Sequence, residues 1–301
     1  MSSFSVREIA RHPPAVILTP ESTIKNAIKM MADQSVRHAI VMSSNNKMKG
    51  VISAKDILNY LGGGEKFRIV QTKFGGDISL ALESPVSILI EKAPIIGRVD
   101  APLIDLMSTM SKNNIGVLPL LDADENLWGL LSERHLFKLF EGNQMFVKVF
   151  EIMSEPIITL DAKSTIIDTI RLMIKNDIRR VLITGEDAVL GIVTVKDIIK
   201  FLGSKYVEDA LARGLSDYIF KINISKIATP EPKNVSPDED LSDAVKKMNV
   251  FNVGSLVVVR DGKPIGMITE RDFLIKLPKL RGVEFIADAH KGRMLVGRVH
   301  F

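Results

Sequence analysis

Four short stretches hold the residue types that could meet an anion and a sugar together. Gly50-Val51-Ile52-Ser53-Ala54-Lys55-Asp56, Gly129-Leu130-Leu131-Ser132-Glu133-Arg134-His135, Gly191-Ile192-Val193-Thr194-Val195-Lys196-Asp197 and Gly266-Met267-Ile268-Thr269-Glu270-Arg271-Asp272 read alike. Each has Gly, two apolar residues, a hydroxyl, a variable residue and a cation, then Asp, with His135 the one departure. The hydroxyl can accept from the unpaired N–H groups of a first helical turn. A carboxylate three residues on completes a variant of the capping box. Helix capping alone would account for the hydroxyl and the Asp. It leaves the cations Lys55, Arg134, Lys196 and Arg271 without a reason, because positive charge in a first turn opposes the helix dipole. A bound anion would offset that cost, helix N-termini are natural phosphate sites, and a carboxylate beside them can accept both hydroxyls of a ribose.

The surrounding spacing says what positions these stretches. Each runs into an apolar helical segment, from Ile57 to Leu61, Leu136 to Phe140, Ile198 to Leu202 and Phe273 to Leu277. Upstream, Ile24, Ala27, Met31 and Val36 recur as Leu103, Leu106, Met110 and Ile115, as Ile166, Thr169, Met173 and Ile178, and as Leu241, Ala244, Met248 and Val253. Steps of three, four and five describe an amphipathic helix and a turn. A short apolar strand follows (Ala39–Val41, Leu118–Leu120, Val181–Ile183, Leu256–Val258), then polar turn residues and the strand that ends in the motif. Extended pieces such as Ile157–Thr159 and Asn234–Ser236 precede the helices. The chain is one strand-helix-strand-strand-helix unit repeated four times, near residues 9–61, 88–140, 148–202 and 224–277.

Composition narrows the function class. A length of 301 residues suffices for two ordinary domains. Apolar content of 46% with 25% charged residues describes a globular chain, and a net charge of +4 permits an anionic ligand or nucleic acid without demanding either. Apolar runs stop short of a bilayer span, and Met1-Ser2-Ser3-Phe4 lacks the pattern of a signal peptide, so a cytoplasmic protein with no membrane partner is expected. With no cysteine, thiolate chemistry and disulfides are excluded. His12, His38, His135, His290 and His300 form no close ligand pair, so no metal site is expected. Gly62-Gly63-Gly64 continues as Glu65-Lys66, not as a phosphate-binding P-loop, and there is no Gly-x-Ser-x-Gly elbow. The reading is of a protein that is not an enzyme.

A single Gly-φ-φ-[Ser/Thr]-x-[Lys/Arg]-Asp stretch is a weak signature, but four copies with matching upstream helices and strands resemble the cystathionine-β-synthase (CBS) domain. The resemblance covers nearly the whole chain and implies an α/β fold of four CBS repeats paired into two Bateman modules. It places module one at 1–145, module two at 146–278 and a basic tail at 279–301, whose Val283, Phe285, Ile286, Leu295 and Val296 suggest docking and whose cations are Arg281, Lys291, Arg293 and Arg298. Odd and even repeats differ as a duplicated pair would: Arg37-His38 and Arg179-Arg180 stand where the even repeats have Gly116-Val117 and Gly254-Ser255.

Carried over residue by residue, the resemblance implies that Ser53, Thr194 and Thr269 contact phosphate and that Asp56, Asp197 and Asp272 hold ribose hydroxyls. Arg179 and Arg180, and with less force Arg37 and His38, fall where basic side chains of the family reach phosphate oxygens. The alternative for each is a helix cap or a solvated strand entrance. Module two, with both Asp197 and Asp272, is the preferred site. His135 cannot accept two hydroxyls as a carboxylate can, and a solvated His at a helix start is its ordinary reading. Met30, Met31 and Met173 read as core, and Asp33, Asp105, Asp168 and Asp243 as solvated. The implied function is regulatory sensing of an adenine nucleotide (AMP, ADP or ATP, or S-adenosylmethionine) in clefts between repeats. No cofactor is required. The four-repeat architecture resembles the gamma subunit of AMP-activated protein kinase, which implies a regulated protein partner and a disc-like pairing of modules, within one chain or in a homodimer. The alternative is a nucleic-acid-binding protein acting through the basic surface and the C-terminal tail.

Overall fold

The computed structural model describes residues 5–90, 93–141, 144–186, 188–282 and 285. Repeat one contains β1 (Ile17–Leu18), α1 (Ile24–Asp33), β2 (His38–Met42), β3 (Met48–Ser53) and α2 (Ala54–Leu61), followed by linker helices α3 (Phe67–Phe74) and α4 (Ile78–Leu82). Repeat two contains β4 (Gly97–Arg98), α5 (Leu103–Lys112), β5 (Val117–Leu121), β6 (Leu127–Ser132) and α6 (Glu133–Phe137), and the short α7 (Val149–Ile152) follows. Repeat three contains β7 (Thr159–Asp161), α8 (Ile166–Lys175), β8 (Arg180–Gly185), β9 (Ala188–Thr194) and α9 (Val195–Leu202), then α10 (Lys205–Ala212) and α11 (Ser216–Phe220). Repeat four contains β10 (Asn234–Val235), α12 (Leu241–Val250), β11 (Ser255–Arg260), β12 (Lys263–Thr269) and α13 (Glu270–Ile275), with α14 (Leu277–Arg281) after it.

In every repeat a three-stranded sheet forms, with the first strand parallel to the second and the second antiparallel to the third. The residues chosen from the upstream spacing form the buried stripe of α1, α8 and α12, with Ile24, Ala27, Met31, Ile166, Thr169 and Met173 at most 1% exposed, while in α5 Leu106 and Met110 are buried and Leu103 is half-buried. Helices α10 and α11 are separate elements, and Gly214 takes φ +73° between them. Helix α3 lies in the linker that follows Gly62-Gly63-Gly64.

Packing groups the repeats alternately along the chain. One compact unit holds 14–94 and 158–231, hence repeats one and three; the other holds 1–13, 95–157 and 232–301, hence repeats two and four. In the odd unit α1 packs on α9, and α2 on α8 and α9, around Ile28, Ile57, Leu58, Ile170, Ile198 and Ile199. In the even unit α6 and α5 meet α13, with Phe137, Phe140 and Phe273 in one aromatic cluster; the Phe137 and Phe273 rings are edge to face at 5.0 Å. Each half expected from the sequence, 1–145 and 146–278, therefore gives one repeat to each unit. Of the tail, Phe285 packs on the even core; Val283, Ile286, Lys291, Arg293, Leu295, Val296 and Arg298 lie outside the described residues.

The segments leading into repeats one, three and four dock on the third strand of a neighbouring copy. Arg11 exchanges two backbone hydrogen bonds with Leu130 (2.9 Å each), Ser154 does so with Met267 (2.8 and 3.0 Å), and Thr229 with Ile192 (2.9 Å each). This explains the motif glycine. A Cβ on Gly191 would stand 2.7 Å from the Thr229 carbonyl oxygen, on Gly266 2.9 Å from that of Ser154, and on Gly129 closer still to that of Arg11. At Gly50 the obstacle is the Ile90 side chain, 2.9 Å away.

Candidate functional site

Strand register brings the odd-repeat residues together. Arg180 lies opposite Thr194 across β8 and β9, and His38 opposite Ser53 across β2 and β3. The first N–H of α9 donates to the Arg179 carbonyl at 3.0 Å, and that of α2 to the Arg37 carbonyl at 2.8 Å. Each basic pair is thus tied to the helix start that carries its motif. All four basic residues already interact within the chain. In the even repeats the corresponding register places Val117 opposite Ser132 and Ser255 opposite Thr269; Val117 and Ser255 are buried, and no cation enters from either strand start.

The capping expected from the motif forms, and it consumes one carboxylate oxygen per Asp. Asp197 Oδ2 accepts from the Thr194 N–H (2.8 Å) and hydroxyl (2.7 Å), and Asp56 Oδ2 accepts from the Ser53 N–H (2.9 Å) and hydroxyl (2.6 Å). Thr269 makes the same two bonds to Asp272, at 2.7 and 2.8 Å. The second oxygens differ. Asp272 Oδ1 accepts from Ser154 at 3.1 Å and pairs with Lys276 at 2.9 Å, and the residue is 4% exposed. Asp56 Oδ1 faces the Lys66 ammonium at 3.5 Å. Asp197 Oδ1 has no partner among the described residues. Asp197 and Asp272, expected to serve one site, belong to different units. Asp168 is more than a solvated residue: it closes a second capping box at Thr165, whose hydrogen bonds hold its carboxyl below the usual range.

The motif cations have a partner that spacing could not disclose. Arg134 donates to the Glu270 carboxylate and the Asn252 side chain at 2.8 Å and to the Val253 carbonyl at 3.1 Å. Reciprocally, Arg271 donates to Glu133 at 2.9 Å and to the Asn114 carbonyl at 2.8 Å. Lys55 pairs with Asp177. Each of these three cations, ill placed at its own helix start, therefore meets the C-terminal end of the first helix of the other repeat in its unit, where positive charge is favoured. A bound anion is not needed to explain them. The variable residue of the motif is Glu in the even repeats and Ala54 or Val195 in the odd ones, so the position read as filler distinguishes the two units.

His135 is half-buried rather than solvated, and its Nδ1 is buried without a hydrogen-bond partner among the described residues. Burial, with Lys138, Arg11 and Arg134 nearby, lowers its pKa to about 4. A neutral imidazole offers a phosphate no charge. No helix among the described residues is long and apolar enough to cross a membrane.

Comparison with known proteins agrees with this anatomy. An uncharacterized 33.4 kDa protein in the ribosomal RNA operon of Thermofilum pendens is 30% identical over 293 residues, 97% of this chain and 98% of its own. The crystal structure of MJ1225 from Methanocaldococcus jannaschii, presented as a proposed archaeal homologue of g-AMPK, superposes with a TM-score of 0.81 at 25% identity, covering 90% of this chain and 99% of that one. An uncharacterized conserved protein from Pyrococcus horikoshii shares the fold, with a TM-score of 0.57 at 15% identity over 90% of this chain and 98% of its own. The CBS domain matches at residues 6–63, 89–142, 149–204 and 224–279, and the chain belongs to the CBS domain family.

Proposed function

We propose that the protein is a regulatory ligand sensor that binds an adenine nucleotide (AMP, ADP or ATP, or S-adenosylmethionine) at the odd repeats, and that it performs no catalysis. One observation carries the reading: only the odd repeats combine a basic pair, a hydroxyl and a carboxylate at one strand-to-helix junction among the described residues. Arg179 and Arg180 offer guanidinium forks to phosphate oxygens. Thr194 lies at the helix start that favours an anion, and Asp197 keeps an oxygen for a ribose hydroxyl. In repeat one, Arg37, His38, Ser53 and Asp56 repeat the arrangement. The likeness to MJ1225 supports a regulatory role with a protein partner. Occupancy would be transmitted through a difference in ligand affinity between two arrangements of the protein. In this reading the consecutive modules 1–145 and 146–278, each giving one repeat to each unit, are the elements a partner would sense, in the cytoplasm.

The test is a thermal-shift screen of AMP, ADP, ATP, GTP and S-adenosylmethionine on the natural protein, Asp197→Asn and the control Asp168→Asn. At a hundred times its dissociation constant a ligand stabilises by about 2.7 kcal/mol. An adenine ligand should raise the melting temperature of the natural protein and of Asp168→Asn equally, and the shift should be smaller in Asp197→Asn. Absence of any shift overturns the reading.

A further inference from the structure

The two odd repeats share one motif but not one state of its carboxylate. In repeat one the Lys66 ammonium, its side chain 14% exposed, faces Asp56 Oδ1 at 3.5 Å and donates to the Leu89 carbonyl at 2.8 Å. Lys66 is held in place from its own backbone, whose N–H donates to the Asn59 side chain of α2 at 2.7 Å. It enters from the linker after α2 and belongs to no motif position, and the residues after α9 place no cation against Asp197 among the described residues. In repeat four the corresponding oxygen is taken by Lys276 and Ser154, and repeat two has no carboxylate there.

From these contacts we infer that Lys66 is an internal occupant of the repeat-one site, so that repeat three alone is open to the ribose of a nucleotide. This rests on the function proposed above and specifies its stoichiometry. A ribose reaching Asp56 must separate a carboxylate from a largely buried ammonium, whereas a ribose reaching Asp197 meets an oxygen that has no partner among the described residues. The difference is one of ligand competition: both repeats hold the same capping bonds and a basic pair, and they diverge at the second carboxylate oxygen.

The experiment is calorimetric titration with AMP and with ATP of the natural protein, Lys66→Met, Asp197→Asn, Asp56→Asn and the double variant Lys66→Met/Asp56→Asn, each shown by circular dichroism to be folded. The expected stoichiometry is one equivalent per chain for the natural protein and for Asp56→Asn, with binding weakened at least tenfold in Asp197→Asn. Lys66→Met should gain a second equivalent, which the added Asp56→Asn change should remove; Lys66→Gln serves in its place if Lys66→Met does not fold. Two or more equivalents on the natural protein, or weaker binding in Lys66→Met because the ammonium itself holds phosphate, would overturn the inference and leave the sensor reading intact. Binding to none of the folded proteins would overturn the sensor reading, and the inference with it.

Discussion

Inside repeat two a single imidazole titrates among Lys138, Arg11 and Arg134, and the consequence can be measured. Burial, then these cations, lowers His135 from 6.5 to about 4, with the Leu130 carbonyl acting in the opposite direction. The unfolded chain therefore takes up a proton at higher pH than the folded one. Stability from this group is complete above pH 6.5 and is lost as pH falls through the window from 6.5 toward 4. The loss cannot exceed about 3 kcal/mol, and water reaching the half-buried ring reduces it. His135→Leu removes the titration, so the difference in melting temperature between pH 7 and pH 4.5 should be smaller in the variant than in the natural protein. Equal differences would mean that burial does not hold His135 neutral. The sequence identified His135 as the departure from its motif but read it as solvated, because exposure depends on Leu130 and Arg11, one on the adjoining strand and the other on a segment more than a hundred residues away.

At the scale of elements, the α6–α13 contact is fastened by two crossed ion pairs. Glu133 and Glu270 are 2% and 4% exposed, and each is met by an Arg that also anchors a helix end. Removing one member takes its counter-charge from a largely buried group and costs up to about 3–5 kcal/mol. Arg134→Met and Glu270→Met should each be severely destabilising, yet the double variant should cost less than their sum by more than 1 kcal/mol, as expected for groups in contact. The same cycle on Lys55 and Asp177, whose side chains are 32% and 68% exposed, should give a coupling below about 1 kcal/mol. Urea denaturation of both cycles decides the matter; equal couplings would remove the distinction between the units. The helices and strands were legible because their periodicities are complete within a dozen residues: the stripe of α8, the β8 strand and the Thr194 cap all follow from local spacing. Glu270 was not, since its partner Arg134 lies 136 residues away and no local pattern links them.

Across the whole molecule, the order of the chain and the order of packing differ. Repetition with odd and even alternation was visible in Arg37-His38 and Arg179-Arg180 against Gly116-Val117 and Gly254-Ser255, and it was read as the mark of consecutive pairs. The alternation also separates the two packing units: the odd repeats share one core cluster and the even repeats another. What spacing could not show is that α1 meets α9, more than 150 residues later, because an apolar helix face specifies burial without naming the surface that covers it. Cooperative unfolding should follow contact rather than chain order. Ile198 is 0% exposed in the odd core, and Ile198→Ala should cost about 2–5 kcal/mol through lost burial and the cavity left behind. Hydrogen exchange on this variant should lose protection in 158–231 and also in 14–94, the two stretches that share the core. If the loss is confined to 146–278 and leaves α1 and α2 protected, the consecutive halves are the cooperative units and the α1–α9 contact contributes little to them.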